Sequence, residues 1–184
     1  MTRDEALQLL DLHIKAENLK KHCLASEVIM RALAAKLGRD AELWGIAGLL
    51  HDLDFEYTHD RPEGHGLKTV ELLAPFQLPR EVTDAVVRHN AETLHMQRET
   101  VMDFALTCAE SITGLIAAAA LVHPDRKIRS LSGKSIRKRM KSKDFARNVN
   151  REHIALCERI DIPLEEFIEL SLGAMASISD QLEL

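Results

Sequence analysis

Aromatic side chains are scarce in this sequence: Phe, Trp and Tyr together make up 4% of its 184 residues. Proteins that bind single-stranded nucleic acid often stack the bases on such side chains, so the composition argues against a protein of that kind. The formal net charge of −5 also argues against a general attraction to DNA or to an anionic membrane surface. We therefore expect neither nucleic acid nor a membrane as a partner.

Cysteine is scarce too, and its three positions, Cys23, Cys108 and Cys157, are far apart. Because there is no Cys-x-x-Cys pair, the sequence indicates neither a disulfide framework nor a zinc site built from thiolates. The longest apolar runs, Leu43–Leu50 and Leu115–Val122, are eight residues each, far fewer than the roughly 18 that a membrane-spanning helix needs. These observations predict a soluble protein of the reducing cytoplasm.

The spacing of the apolar residues is that of α-helices, and no segment alternates as a half-buried β-strand would. Gly38 is suited to end one helix and Asp40 to cap the next, whereas the polar stretch Asp54–Gly64 is typical of a loop. We predict an all-α single domain. Residues 1–124 form its helical core, and residues 125–184 form a basic segment and C-terminal helices that pack on the same domain as an extension.

His51 and Asp52 directly follow the apolar helix Leu43–Leu50, which we expect to be buried nearly all round. An imidazole or a carboxylate buried without a partner costs free energy on the order of several kcal/mol, so each must be hydrogen-bonded, ion-paired or bound to a metal. Other helices carry side chains that are placed to join this pair, on packing faces or at helix ends: His22, His65, His89 and Glu110.

Imidazoles and carboxylates without a thiolate favour a divalent ion such as Mn, Fe, Co, Ni or Mg over a structural zinc of the cysteine type. The spacing alone leaves an alternative open, in which these histidines are core residues whose nitrogens are satisfied by hydrogen bonds. The two interpretations differ in whether side chains from separate helices converge on a shared cation.

The segment Leu49–Asp54, which reads LLHDLD, looks like a Leu-Leu-His-Asp-Ile-Gly turn. His22 precedes His51 by 29 residues, and an acid lies on a later apolar helix. In this pattern residues 18–113 resemble the HD-domain superfamily of metal-dependent phosphohydrolases, whose turn has that sequence. Two further segments look like those of uncharacterised bacterial members of the HDIG type: Glu110–Ile116 and Lys134–Ala146.

The resemblance implies an HD-type helical bundle with a C-terminal helical extension. It also implies a role for each candidate side chain. The residues that match the metal ligands of the family are His22, His51, Asp52, His65 and His89, of which the two last hold a second ion in binuclear members. Asp52 would bridge two ions or orient a water molecule.

Three positions depart from the pattern of the family. Glu110 stands where the family usually has aspartate, and the resemblance implies that it holds the catalytic ion together with His22, His51 and Asp52. Its extra methylene carries the carboxylate roughly 1 Å further from the backbone. Asp54 and Phe55 replace the usual Gly and Lys after the His-Asp pair. Asp54 and Glu56 are candidates to line the pocket, in a stretch that imitates a calcium loop but has Tyr57 where that loop needs glycine.

The activity that the resemblance implies is hydrolysis of a nucleotide or another small phosphate ester, through a water molecule activated by one or two divalent ions. The alternative is a non-catalytic HD-type regulatory module that binds a nucleotide or a partner protein, with Glu110 marking lost activity. Either function is compatible with a homo-oligomer.

Nine basic residues lie between Arg126 and Lys143 with no acid among them, although the rest of the chain is acidic. We call this stretch the basic segment. It is interpreted as a capture surface or lid for a phosphorylated substrate, as a nucleic-acid contact, or as a solvated helix face. Lys134 and Arg137 are three residues apart and so share a helix face. We predict that these two side chains neutralise substrate charge during catalysis.

Overall fold

The structure, a computed structural model, describes residues 1–184 and consists of helices and turns without a β-strand. This confirms the all-α class that the apolar periodicity predicts. The α-helices, some of them separated by short 3₁₀ helices, are α1 (Arg3–His13), α2 (Glu17–Leu37), α3 (Ala41–Leu50), α4 (Phe55–Thr58), α5 (Leu67–Leu73), α6 (Arg80–Arg88), α7 (Val101–Leu121), α8 (Gly133–Met140), α9 (Arg151–Ala155), α10 (Leu164–Ser177) and α11 (Ser179–Leu182).

The connection between α2 and α3 forms as the sequence predicts. Gly38 ends α2 in the left-handed conformation, with φ at 64°, which glycine adopts without the steric cost of a Cβ atom. Asp40 caps α3, because its side chain accepts hydrogen bonds from the backbone N–H groups of Glu42 and Leu43. The two helices are therefore joined by a short and well-defined turn.

Gly48 allows α2 and α3 to approach each other closely. A Cβ atom at this position would lie 2.7 Å from the carbonyl oxygen of Ser26 and 3.0 Å from the Cα atom of Glu27, so a larger residue fits only if a helix moves. The approach places His51, at the end of α3, beside His22 in α2. Packing at Gly48 therefore sets the distance between the side chains of His22 and His51.

α7 is the central helix of the core. Thr100 and Asp103 form a capping box at its start, and Leu106, Ile112 and Leu115 are among its many buried side chains. By length and composition α7 is the one helix that is apolar enough to cross a membrane. In this structure it packs against α2, α6 and the C-terminal helices, so its apolar character is accounted for by burial within the bundle.

Residues beyond 124 share the larger hydrophobic core with α7. Ile128 and Ile136 of the basic segment and Phe167 of α10 are buried in the same cluster. α8 packs against both α7 and α10. The exposed cations of α8 therefore lie on a helix whose other face is packed against the core. The division of the chain at residue 124 stays a prediction.

The segment between α3 and α5 differs from the prediction. Residues 54–64, expected to be a loop, contain α4 and the 3₁₀ helix Pro62–Gly64. The backbone N–H of Phe55 donates to the carbonyl oxygen of Asp52 at 2.9 Å, so tight helical turns continue directly from α3. The polar composition correctly indicated exposure, but exposure does not determine whether the backbone is helical.

We expect Gly48→Ala to lower the free energy of unfolding by about 1–3 kcal/mol, because the added methyl group overpacks the contact between α2 and α3. Gly173→Ala in α10 is the matched control, since a Cβ atom there meets nothing within 4 Å. This control should raise stability by about 0.5–1 kcal/mol, because alanine favours a helix more than glycine does. Urea unfolding followed by circular dichroism measures both, and equal effects would contradict the packing argument.

Candidate metal centre

Four helical segments bring imidazole and carboxylate groups to one place. His22 lies in the first half of α2, His51 and Asp52 follow α3, His65 shortly precedes α5, and His89 follows α6. Their ligand atoms form two groups, one of His22, His51 and Asp52 and one of Asp52, His65 and His89, and within each group all ligand atoms lie within 4.8 Å of one another. Asp52 belongs to both groups.

In the first group two imidazole nitrogens meet beside the Asp52 carboxylate. His22 Nε2 lies 3.1 Å from His51 Nε2 and 3.5 Å from Asp52 Oδ2, and His51 Nε2 lies 3.4 Å from Asp52 Oδ1. Two ring nitrogens this close repel each other if both present lone pairs and nothing lies between them. A proton or a metal ion removes that repulsion.

The second group repeats the arrangement with the same carboxylate. His65 Nε2 and His89 Nε2 lie 3.2 Å and 3.4 Å from Asp52 Oδ1, and the two nitrogens are 2.8 Å apart. Asp52 is therefore placed to bridge two cations, one in each group.

Hydrogen bonds to the other ring nitrogens determine which atom is free to bind a metal. His51 Nδ1 lies 2.8 Å from the carbonyl oxygen of Gly48, and His89 Nδ1 contacts the carbonyl oxygen of Val86. Because a carbonyl oxygen only accepts, Nδ1 carries the proton in both rings. In the neutral ring Nε2 then presents its lone pair to the centre.

His22 is oriented from α7 by a chain of two hydrogen bonds. The Thr113 hydroxyl donates to the main-chain carbonyl oxygen of Glu110 at 2.6 Å, which uses its only proton. His22 Nδ1, 2.8 Å from the same hydroxyl oxygen, must therefore be the donor to it. His22 thus also presents the lone pair of Nε2 to the first group.

Burial and neighbouring charges set the protonation of these groups. Burial lowers the pKa of His51 to about 3, so this ring is neutral at pH 7. Burial by itself opposes ionisation of Asp52, but the imidazoles around it outweigh burial and hold its pKa well below the usual range. Burial likewise opposes a charge on His65, yet hydrogen bonds to Asp52 and Asp54 raise its pKa to about 10. A metal ion at the second group would displace that proton.

The donor set fits a divalent cation. Four imidazole nitrogens and a shared carboxylate, without a thiolate, suit Mn, Fe, Co or Ni, whereas Mg prefers oxygen ligands. With Nδ1 protonated, the two Nε2 atoms of each pair must share either a proton or a metal ion. A shared proton corresponds to the alternative of hydrogen-bonded core histidines, and a shared metal ion corresponds to a metal centre.

Glu110, expected as a further metal ligand, is not brought into either group. Its carboxylate accepts a hydrogen bond from the adjacent Ser111 hydroxyl at 2.5 Å. Thr113 is the residue of α7 that contacts His22. In this structure Glu110 contributes to the site through its main-chain carbonyl oxygen, and its role as a metal ligand stays a prediction.

Lys134 and Arg137, expected to neutralise substrate charge at the metal ions, are also not brought to the centre. Arg137 pairs with Glu165 of α10, Lys134 is exposed, and neither side chain bonds to the two groups. The physical reason is Ile136, which is fully buried and so determines how α8 is rotated against the core. The two cations do share a helix face as predicted, but it is turned towards α10 and solvent.

The structure adds Asp54 and Thr113 to the residues that contact the imidazoles. Asp54 Oδ1 lies 2.7 Å from His65 Nδ1, and its side chain is fully buried. The signal for Asp54 in the sequence was the departure from glycine in the turn after the His-Asp pair. Thr113 carried no comparable signal, because a threonine within an apolar helix is common and needs no ligand.

Comparison with known proteins agrees with this geometry. The family model described as HD domain matches residues 19–106, a range that contains all five residues of the two groups. Residues 19–106 form an HD domain. The family assignment and the HD-type helical bundle are thereby confirmed.

Curated relatives of this HD domain include several proteins named Ribonuclease Y. One from Thermus thermophilus is 36% identical over 97 residues, which are 48% of this chain and 17% of the relative. One from Latilactobacillus sakei is 25% identical over 170 residues, which are 91% of this chain and 32% of the relative. The chain thus spans less than one third of the length of these relatives. No solved structure shows a significant match.

We expect Thr113→Val to lower the affinity for Mn²⁺ by about 10–100-fold, the usual effect of removing the group that orients a metal-binding histidine. Glu110→Gln should leave the affinity unchanged, because it keeps the main-chain carbonyl that receives the Thr113 hydroxyl. Titration calorimetry on chelator-treated protein measures both variants. A larger loss of affinity in Glu110→Gln than in Thr113→Val would show that the Glu110 carboxylate binds the metal after all.

Proposed function

We propose that this chain is a metal-dependent phosphohydrolase that hydrolyses a nucleotide or another small phosphate ester through a metal-activated water. The observation that carries the proposal is Asp52, a buried carboxylate whose oxygens lie between two groups of imidazole nitrogens. Hydrolysis of a phosphate ester needs positive charge close to the phosphoryl oxygens. The two groups can hold one or two divalent ions for that purpose.

Bound divalent ions would supply what the side chains lack, because they neutralise phosphoryl oxygens and lower the pKa of a bound water to about 7. The protein contributes by fixing the orientation of the imidazole rings before a metal ion binds. The Nδ1 atoms of His22, His51 and His89 contact fixed acceptors, so the Nε2 atoms already point at Asp52. A site whose ligands are held in place needs little rearrangement before it works.

The centre is reached from the side of His22. This side chain is 24% exposed, against 1% for His51, and it borders two clefts of about 430 Å³ each. One cleft is also lined by Lys21 and the other by Phe55. The volume is in the range typical of small-ligand sites. The Lys21 ammonium lines one of the clefts but pairs with Glu183 of the same cleft, so a phosphate bound there would compete with that carboxylate.

The relatives named Ribonuclease Y support hydrolysis of a phosphodiester in particular. Because this chain spans less than one third of those proteins, RNA enters only as one substrate among those to be tested. The scarcity of aromatic side chains and the clefts beside His22 favour a small substrate over a long nucleic acid.

The purified protein should hydrolyse at least one member of a panel of nucleoside mono-, di- and triphosphates, bis(p-nitrophenyl) phosphate and short RNA, with Mn, Co, Ni or Mg present. His51→Ala combined with Asp52→Ala should reduce turnover to background, because it removes ligands from both groups. Release of phosphate, of p-nitrophenol or of shortened RNA fragments is the measurement, and Lys68→Ala on the exposed surface is the control. The proposal fails if no pairing of metal and substrate exceeds the double variant.

A second candidate function is a non-catalytic module that binds a nucleotide or a partner protein. Glu110 favours this candidate, because the family usually has aspartate at this position and the Glu110 carboxylate lies outside both groups. If the parent chain is inactive and Glu110→Asp gives turnover, the native protein is such a module. Turnover by the parent chain excludes it.

The basic segment contributes to the proposal through its electrostatic field. Of its nine cations only Arg137 pairs with a carboxylate. In the rest of the chain most Lys and Arg side chains do so: Arg3, Lys20, Lys21, Arg31, Lys36, Lys68, Arg80, Arg88 and Arg98. Unpaired surface cations leave a positive potential that raises the local concentration of anionic substrates.

Lys138→Glu combined with Lys141→Glu should lower kcat/KM several-fold at low ionic strength, because it weakens this positive potential without touching the metal centre. The difference should shrink near 1 M salt, where charges are screened within about 3 Å. Lys68→Glu combined with Arg80→Glu makes the same change of net charge elsewhere and should have the smaller effect. Equal effects of both double variants at every salt concentration would contradict a role for the basic segment.

A further inference from the structure

Asp54 is a buried carboxylate at the position where the resembling family turn has glycine. It has no exposed surface, and it pairs with no Lys or Arg side chain, its one ion-pair partner being His65. Burial of a carboxylate in this way is unfavourable unless its oxygens are fully hydrogen-bonded. Its hydrogen bonds therefore indicate what it does.

Both oxygens of Asp54 act as acceptors. Oδ1 lies 2.7 Å from His65 Nδ1, and Oδ2 accepts hydrogen bonds from the backbone N–H groups of Gly66 at 2.8 Å and Thr69 at 2.9 Å. Oδ2 can only accept from these two N–H groups, and a carboxyl group gives up its proton more readily than an imidazolium does. The proton in the contact with His65 consequently lies on Nδ1 of the imidazole.

The chain around His65 is confined from the opposite side as well. Gly66 has φ at 82°, and a Cβ atom there would lie 2.8 Å from the carbonyl oxygen of Val86 and 3.6 Å from Cε1 of His89. The turn that carries His65 is therefore held between Asp54 and the end of α6. In this position His65 Nε2 points at Asp52 and His89.

His65 differs from the other imidazoles of the centre in the group that orients it. His22 contacts a hydroxyl, and His51 and His89 contact main-chain carbonyls, all of them neutral acceptors. Only His65 is oriented by an ionised carboxylate. Such a carboxylate fixes the ring and makes the opposite nitrogen a stronger metal ligand.

We propose that Asp54 is a positioning residue that orients the His65 ring with Nε2 facing the second group. This chain would then hold a second divalent ion more tightly than it would with glycine at position 54. The inference rests on the metal centre of the proposed function. It concerns the number of ions bound and the affinity for the second one, neither of which follows from the family turn.

The decisive comparison is Asp54→Asn against the parent chain, in titration calorimetry with Mn²⁺ on metal-free protein. The parent should bind two ions. In the variant one of the two binding steps should weaken by about 10–100-fold and the other should be unchanged. Glu27→Gln is the matched control, because Glu27 is another buried carboxylate, held by Arg3 and Arg31, and its loss should leave both steps unchanged.

A second measurement separates positioning from a merely structural role. Long-range ¹H–¹⁵N spectra of the metal-free protein report which ring nitrogen of each histidine is protonated. In the parent His65 should carry a proton on Nδ1, whereas Asp54→Asn should populate the Nε2–H form, because an amide can donate to Nδ1 where the carboxylate only accepts. Asp54→Gly, which restores the residue of the family turn, should behave in the same way and serves if the Asn variant does not fold.

Binding of a single ion by the parent, or two unchanged steps in the folded Asp54 variants, would overturn the proposal. So would an equal weakening of both steps, or an unaltered His65 spectrum. Failure of the proposed function would look different. A parent chain that binds two ions with the expected Asp54 dependence but hydrolyses nothing would refute the enzyme and leave the role of Asp54 standing.

Discussion

The structure depends on one buried carboxylate that no Lys or Arg side chain neutralises. Asp52 is 8% exposed, and its ion-pair partners are the imidazoles of His22, His51, His65 and His89. An ionised group in such surroundings is stable only if positive charge lies close to it. Protons on the imidazoles or a metal ion supply that charge, so the helices that carry these side chains are joined by a polar contact in addition to the hydrophobic core.

The position of the imidazoles follows from the way helices end. The last four carbonyl groups of an α-helix have no partner within the helix. At the end of α3 the carbonyl of Gly48 accepts from His51, and at the end of α6 the carbonyl of Val86 accepts from His89, in each case three residues along the chain. The same hydrogen bond, from Nδ1 of a histidine to the carbonyl oxygen three residues earlier, thus occurs at both helix ends. It satisfies a free carbonyl and at the same time turns Nε2 towards Asp52.

The sequence was most informative where burial forces a polar group to find a partner. His51 and Asp52 at the end of an apolar helix could not be left unpaired, and the residues His22, His65 and His89 on neighbouring helices were the available partners. The helix ends at Gly38 and Asp40 were also predictable, because glycine conformation and side-chain capping are local effects.

What could not be predicted depends on how helices are rotated against each other. Periodicity places Lys134 and Arg137 on one face of α8, but the burial of Ile136 decides which way that face points. In α7 the residue that contacts His22 is Thr113 and not the expected acid Glu110, three positions earlier. Positions three apart on a helix lie on nearly the same side, and only the packed structure distinguishes them.

The charges around the two groups bear on the kind of substrate that fits. Two divalent ions would bring four positive charges, which Asp52 and Asp54 offset by two, while the Glu110 carboxylate belongs to neither group. The remaining two positive charges would balance the two negative charges of a doubly ionised phosphate monoester, and a further acid among the ligands would reduce this balance. With both ions bound, the buried Asp54 would strengthen the hold on one of them, and the site would remain electropositive towards a phosphate on the exposed side next to His22.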